Sequence, residues 1–281
     1  MHLAGMWWCV FYLNVAFTCA MMREYYIAAK EIYWDYAPSV IITITCIHSH
    51  NAHSPKKATR SPFGVLIYKK AVYIQYTDGS FTQEIPKDPW LGYLGPTMKA
   101  EVHDVIAVYF KNLASRPYSM HPHGVFYSKA SEGANYPDGQ EFGSKGEFVL
   151  PGQTHTYHWV VRDETSPGSD DPNCFTWIYH SHVNEPKDVN SGLIGALLTC
   201  RKGSRTAERQ DVGEDFILMF TIVDENNSWY LEDNIRETIA DPRSLDRSDL
   251  HCINGYMYGN LPGLNMCSEV NVSWHIFGLG S

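Results

Sequence analysis

Apolar and polar positions alternate with period two along most of this chain, which is the strand signature. Tyr25–Tyr36 (YYIAAKEIYWDY) alternates loosely and predicts a first strand. Val65–Tyr76 (VLIYKKAVYIQY) predicts a second, closed by the turn pair Asp78-Gly79. Pro86–Pro96 is a Pro- and Gly-rich connection, and Lys99–Asn112 (KAEVHDVIAVYFKN) reads as a turn with exposed His103, then a strong strand. Glu132–Gly152 is turn-rich. Thr154–Val161 (THTYHWVV) returns to strand and puts His155 and His158 on opposite faces as structural residues. The loop Ser166–Pro172 leads into FTWIYHSH, and GLIGALLTC predicts the strand after it. Asp215–Val223 (DFILMFTIV) is a further buried strand, with Asn254–Pro262 and Val270–Gly278 following. Helix signals are few; a short helix fits only within the charged stretch Ile235–Asp249. Short strands separated by turn signals predict an all-β antiparallel sandwich or barrel.

The polar run Arg201–Gly213 interrupts this pattern and reads as a linker. The chain divides into residues 1–20, 21–202, 203–213 and 214–281. The last part is shorter than the roughly 100 residues of a full sandwich, so it reads as half a domain. Leu3–Ala20 is apolar, too short to span a membrane and ends in small residues. It predicts an export signal cleaved near Ala20, with a buried first strand as the alternative. Val40–Arg60 turns from β-branched to His-rich and basic; His48, His50 and His53 read as a solvated loop rather than a metal cluster.

Composition sharpens this picture little. The chain has 281 residues, 44% hydrophobic, with 18 Tyr and 8 Trp favouring strands. Its net charge is −9 and it lacks a Lys/Arg run, which argues against nucleic acid. Cys9 and Cys19 fall in the export signal. Cys46, Cys174, Cys200, Cys252 and Cys267 remain, an odd number that leaves one thiol without a partner in the chain. A disulfide between Cys174 and Cys200 would clamp the FTWIYHSH strand to the GLIGALLTC strand; two buried thiols are the alternative. Asn226-Asn227-Ser228 and Asn271-Val272-Ser273 are glycosylation sequons for an exported chain, at Asn226 and Asn271.

The chemistry lies in two His-x-His pairs, His121/His123 and His180/His182. Residues two apart on a strand share a face, so each pair presents two imidazoles to one metal or to two adjacent metals. Four imidazoles without a Cys among them suit copper, zinc, iron or nickel rather than calcium. One such pair is commonly inert; two, each beside Gly and aromatic residues, predict a metal site. Pro122 removes a backbone donor, so its strand is an edge or is irregular, which suits a site completed against another domain. A zinc hydrolase lacks an evident general base near these histidines.

The segments YYIAAKEIYWDYAPS, YIQYTDGSF, PWLGYLGPTMKAEV, SMHPHGVFY, EGANYPDG, IYHSHVNEPKDVNSGLIGALLTC, SWYLEDNI and LPGLNMC resemble the N-terminal end of the vertebrate multicopper ferroxidases, the family of ceruloplasmin, hephaestin and hephaestin-like proteins. The resemblance covers nearly everything from Tyr25 onward except Val40–Arg60. It implies a plastocyanin-like, cupredoxin-type antiparallel β-sandwich, with one complete domain and part of a second out of six in the whole protein. It also implies secretion and a role in iron and copper homeostasis. His121 is implied at a type 2 copper, and His123, His180 and His182 at a type 3 pair. Together they form half of a trinuclear cluster that the absent C-terminal cupredoxin domain completes. The implied reaction is oxidation of iron(II) by dioxygen, which is reduced to water.

Several residues depart from the family pattern. No type 1 copper set is evident: Cys267 precedes His275, but its surroundings match the family's structural Cys, whose downstream partner is absent. The family's calcium loop carries Asp-Asp, whereas Lys145-Gly146-Glu147-Phe148 offers one acid, which argues against calcium. Asn184 stands where the family has Asp. The expectation is that this chain alone binds a partial copper set and does not turn over. The alternative is a non-catalytic interaction module like the A domains of coagulation factors V and VIII; the intact histidine pairs favour the oxidase.

Overall fold

The computed structural model describes residues 20–38, 67–135, 146–204, 212–237 and 249–279. Residues 1–19 of the expected export signal, Cys46, His48, His50, His53, Lys145 and most of the expected 203–213 linker lie outside the described residues. The strands are β1 (Met22–Asp35), β2 (Ile67–Tyr76), β3 (Met98–Glu101), β4 (Val105–Asn112), β5 (His121–Pro122), β6 (Thr154–Val160), β7 (Cys174–His180), β8 (Ile194–Cys200), β9 (Glu214–Asp224), β10 (Asp249–Ile253) and β11 (Val272–Leu279). They form three sheets, ordered β2-β1-β4-β6, β3-β8-β7-β5 and β10-β9-β11. The sandwich is as expected, but its sheets are mixed: β1–β4, β3–β8 and β9–β11 pair in parallel. Alternation encodes which face a side chain takes and is silent on the direction of the neighbouring strand.

The first core lies between the two four-stranded sheets. Ile27 and Ala29 from β1, Tyr73 from β2, Ile106, Val108 and Phe110 from β4, and Tyr157 and Trp159 from β6 meet Tyr179 and Leu197 from β7 and β8. All seven residues of β8 are buried, because this strand has a core on each face. Leu197 points into the first core, while Ile194, Ala196, Leu198 and Cys200 point into a second. That second core is closed by Phe216, Ile217, Met219 and Val223 of β9 and Leu250 and Cys252 of β10. The other face of the third sheet leaves Phe220, Trp274 and Ile276 exposed.

Two helices interrupt the strands. The chain forms α1 (Glu185–Ser191), where few helix signals were evident, and α2 (Leu231–Glu237), which begins four residues before the stretch assigned to a helix. Local chemistry explains α1. The Asn184 side chain accepts from Lys187 N, Pro186 occupies the first turn, and Gly192 ends the helix in the left-handed region. Asn and Asp cap helices about equally well, so Asn184 costs nothing in that role. His103 sits exposed at the turn between β3 and β4, as expected. The Cys174–Cys200 disulfide forms across directly opposed residues of β7 and β8.

A polar seam joins the third sheet to the second. Lys99 of β3 pairs with Asp215 of β9, and Asp215 Oδ1 lies 3.3 Å from His275 Nε2 of β11. His275 Nδ1 meets Thr176 Oγ1 of β7 at 2.8 Å, so buried His275 is spoken for in the seam, while Cys267 is exposed. Burial raises the Asp215 carboxyl, but His275 and Lys99 outweigh it and hold it down to about 2. A depressed carboxyl stabilises the fold above its unfolded value near 3.8 and loses that contribution as pH falls towards 2. Asp215→Asn is therefore expected to cost on the order of 2 kcal/mol at pH 7. Urea midpoints of the two proteins should converge below pH 3; equal midpoints at pH 7 would remove the argument.

Candidate metal centre

The two histidine pairs meet at the edge of the second sheet. β5 is the edge strand there, so the missing N–H of Pro122 breaks no ladder, as its position in the sequence required. His121 stands directly opposite His180 in register, and His123 N donates to Ile178 O at 2.9 Å. His182 follows β7, with its N–H donating to Ser119 Oγ at 3.0 Å. Gly124 turns the chain away at φ +72°; a Cβ there would lie 2.1 Å from the Trp177 ring, so only glycine lets Trp177 pack beside the pair.

All four imidazoles come together. Ring centroids lie 5.2 Å apart for His121–His123, 5.6 Å for His121–His180, 5.1 Å for His121–His182, 5.2 Å for His123–His180 and 5.7 Å for His180–His182. His180 is buried, His121 and His182 are half-buried, and His123 is exposed, so the cluster is open on one side. Tyr127 packs against His121 on edge.

Backbone carbonyls fix two of the tautomers. His121 Nδ1 lies 2.7 Å from Glu132 O, and His180 Nδ1 lies 3.0 Å from Ser181 O. A carbonyl only accepts, so each Nδ1 carries the proton and each Nε2 keeps its lone pair. The His180 lone pair faces His123 Nε2 at 3.0 Å, a separation that demands a cation or a shared proton between them. Here that proton belongs to His123.

Burial disfavours protonation of three of the four rings. Burial pushes His180 down to about 3, against its bond to Ser181 O and with help from the other three rings. Desolvation also lowers His121, with Glu132 O opposing and His123 and His182 adding to it. His123 is lowered by desolvation and by His182, with Glu185 pulling the other way. The Glu185 carboxylate stands 3.7 Å from His182 Nε2 and 3.9 Å from His180 Nε2.

Four clustered imidazoles, two of them held by carbonyls with their Nε2 lone pairs free, form a donor set that fits copper. Among the described residues, no three His, Cys, Asp or Glu side chains enclose a single metal ion by themselves. His155 and His158 stay apart from the cluster on β6; His155 Nε2 binds Ala130 O at 2.9 Å and His158 is exposed. Asn226 and Asn271 are both exposed. The residues that hold the histidines in place were missed in the sequence. Ser119, Ser181 and Asp188 lie within the two motifs, and their signal is a short polar side chain close in sequence to a histidine pair.

Residues 91–203 match the family model described as multicopper oxidase. The chain is 49% identical over 279 residues to ferroxidase HEPHL1 of Mus musculus, covering 93% of this chain and 24% of that protein. It is 46% identical over 280 residues to hephaestin of Rattus norvegicus, with 94% and 24% covered. It is 45% identical over 287 residues to ceruloplasmin of Rattus norvegicus, with 96% and 26% covered. The chain thus spans about a quarter of the length of these relatives. The fold is similar to that of the blue copper oxidase from Nitrosomonas europaea, with a TM-score of 0.54 and 17% identity over 92% of this chain and 61% of that one.

Proposed function

For a chain that belongs to the multicopper oxidase family, we propose that His121, His123, His180 and His182 bind copper as part of a ferroxidase centre. His121 is assigned to a type 2 copper and the other three to a type 3 pair, half of a trinuclear cluster. The observation that carries this is the meeting of four imidazoles from two strands at an open sheet edge, with no single-ion site enclosed among the described residues, which suits coppers shared with another domain. Copper supplies one-electron cycling between two oxidation states when bound. In the whole protein, four iron(II) ions each give up one electron, and dioxygen takes those four with four protons to yield two waters. Within this chain, carbonyls of Glu132 and Ser181 orient the rings of His121 and His180, and burial of His180 keeps protons from competing for its nitrogen.

The remaining cluster ligands and the electron entry site are assigned to further cupredoxin-like domains of the whole protein. The third sheet supports a second such unit over residues 214–281, after a first over 21–202. β9 pairs antiparallel with β10 and parallel with β11, as β1 does with β2 and β4. Export is supported by the Cys174–Cys200 disulfide, which persists in an oxidising compartment. Among the described residues no helix is long and apolar enough to cross a membrane.

Elemental analysis with EPR on the purified chain tests the copper assignment. The expected result is copper without the intense blue absorption of a type 1 site, abolished by His121→Ala together with His180→Ala. A folded wild-type chain that takes up no copper would overturn it.

A further inference from the structure

Asp188 lies wholly buried in α1 and accepts four hydrogen bonds. Its Oδ2 takes Ser181 Oγ at 2.6 Å, Val183 N at 2.9 Å and Asn184 N at 3.1 Å. Its Oδ1 takes Trp229 Nε1 at 2.7 Å. Three of these donors belong to the backbone and side chains that flank His182. Ser181 commits its proton to Asp188, so its oxygen is left to accept from Ser119 N at 3.1 Å. Ser119 Oγ in turn donates to Gly133 O at 2.5 Å and accepts from His182 N at 3.0 Å.

Ser181 sits between His180 and His182, and Ser119 two residues before His121. The chain of bonds Trp229–Asp188–Ser181–Ser119 therefore reaches both histidine pairs. Its far end follows the first strand of the third sheet. Trp229 is fixed there between Lys187 (4.5 Å from its ring) and Arg116 (5.2 Å), with its backbone N donating to Ser191 Oγ at 3.0 Å.

We infer that Asp188 is a positioning residue that sets the spacing between the His121/His123 and His180/His182 pairs through Ser181 and Ser119, and that Trp229 makes this spacing depend on the segment after β9. Outer partners of this kind commonly govern metal affinity by 10–100-fold by holding ligands in place. The consequence for copper rests on the metal reading above; the positioning itself does not.

The test uses Trp229→Phe, which keeps an aromatic ring at this position while removing the N–H donor, and Asp188→Asn. Copper affinity is measured by competition on the full chain, and the ring nitrogen NMR shifts of His180 and His182 on the metal-free chain. Trp229→Phe is expected to weaken copper binding about tenfold, and Asp188→Asn closer to 100-fold, with His180 and His182 shifts moved in both. Ser181→Ala replaces Asp188→Asn if the latter fails to fold. A purely structural role lowers the melting temperature but leaves the ring shifts and the affinity of the folded fraction unchanged, and that result overturns the inference. If the wild-type chain takes no copper, the metal reading fails alone and the ring shifts still decide the positioning.

Discussion

Lys70→Met is expected to destabilise the chain by about 3–5 kcal/mol, because it leaves a buried carboxylate without its counter-charge. Lys70 of β2 is wholly inaccessible, and its Nζ lies 2.5 Å from Glu225 Oε1 and 2.8 Å from Asn190 O. Its ammonium also faces the rings of Tyr36 at 5.3 Å and Tyr93 at 5.6 Å. Glu225 follows β9 and is buried as well, with Tyr36 donating its hydroxyl to Oε1 and Oε2 lacking a hydrogen-bond partner among the described residues. Among the described residues the carboxylate is compensated by one ammonium and one hydroxyl. Removing the ammonium strands that charge in a core of aromatic rings. Replacing both partners removes the desolvation cost of both, so Lys70→Met with Glu225→Leu is expected to recover most of the loss. Chemical denaturation of the two single variants and the double variant closes the cycle. A Lys70→Met cost below about 1 kcal/mol would show that the pair does not clamp the third sheet to the first.

That pair shows where sequence reading stops. Lys70 shares a strand face with Tyr68, Val72 and Ile74, so alternation sets it among apolar side chains but names no partner for its charge. Its partner comes from a separate segment of the chain, and only the three-dimensional crossing of β2 with the turn after β9 brings them together. Other features were legible because they are local. His-x-His spacing and Pro122 between two histidines carry their geometry within a few residues, and Cys174 and Cys200 bracket a single pair of neighbouring strands. The signals for α1 were also present, in Asn184, Pro186 and Gly192, but seven residues between two strands do not build a helical period. Parallel pairing and the bond from Trp229 to Asp188 depend on long-range topology, which residue alternation does not encode.

The metal-free chain is also expected to lose several kcal/mol of stability as pH falls from about 6.5 to about 3, and His180 carries that loss. In the unfolded chain this imidazole takes a proton near 6.5, whereas in the folded one burial among His121, His123 and His182 delays protonation to about 3. Between those values the unfolded state binds the extra proton, so stability falls with each unit of acidification by up to about 1.4 kcal/mol. The contribution is unaffected above 6.5 and is fully lost near 3. Urea unfolding of the metal-free chain from pH 7.5 to pH 3.5 measures the slope, and His180→Gln is expected to flatten it. An unchanged slope in that variant would assign the acid sensitivity to the carboxylates instead. The same burial has a chemical use. A site that resists protons while holding the Nε2 lone pair of His180 3.0 Å from His123 Nε2 makes a cation, rather than a second proton, the natural occupant of that gap.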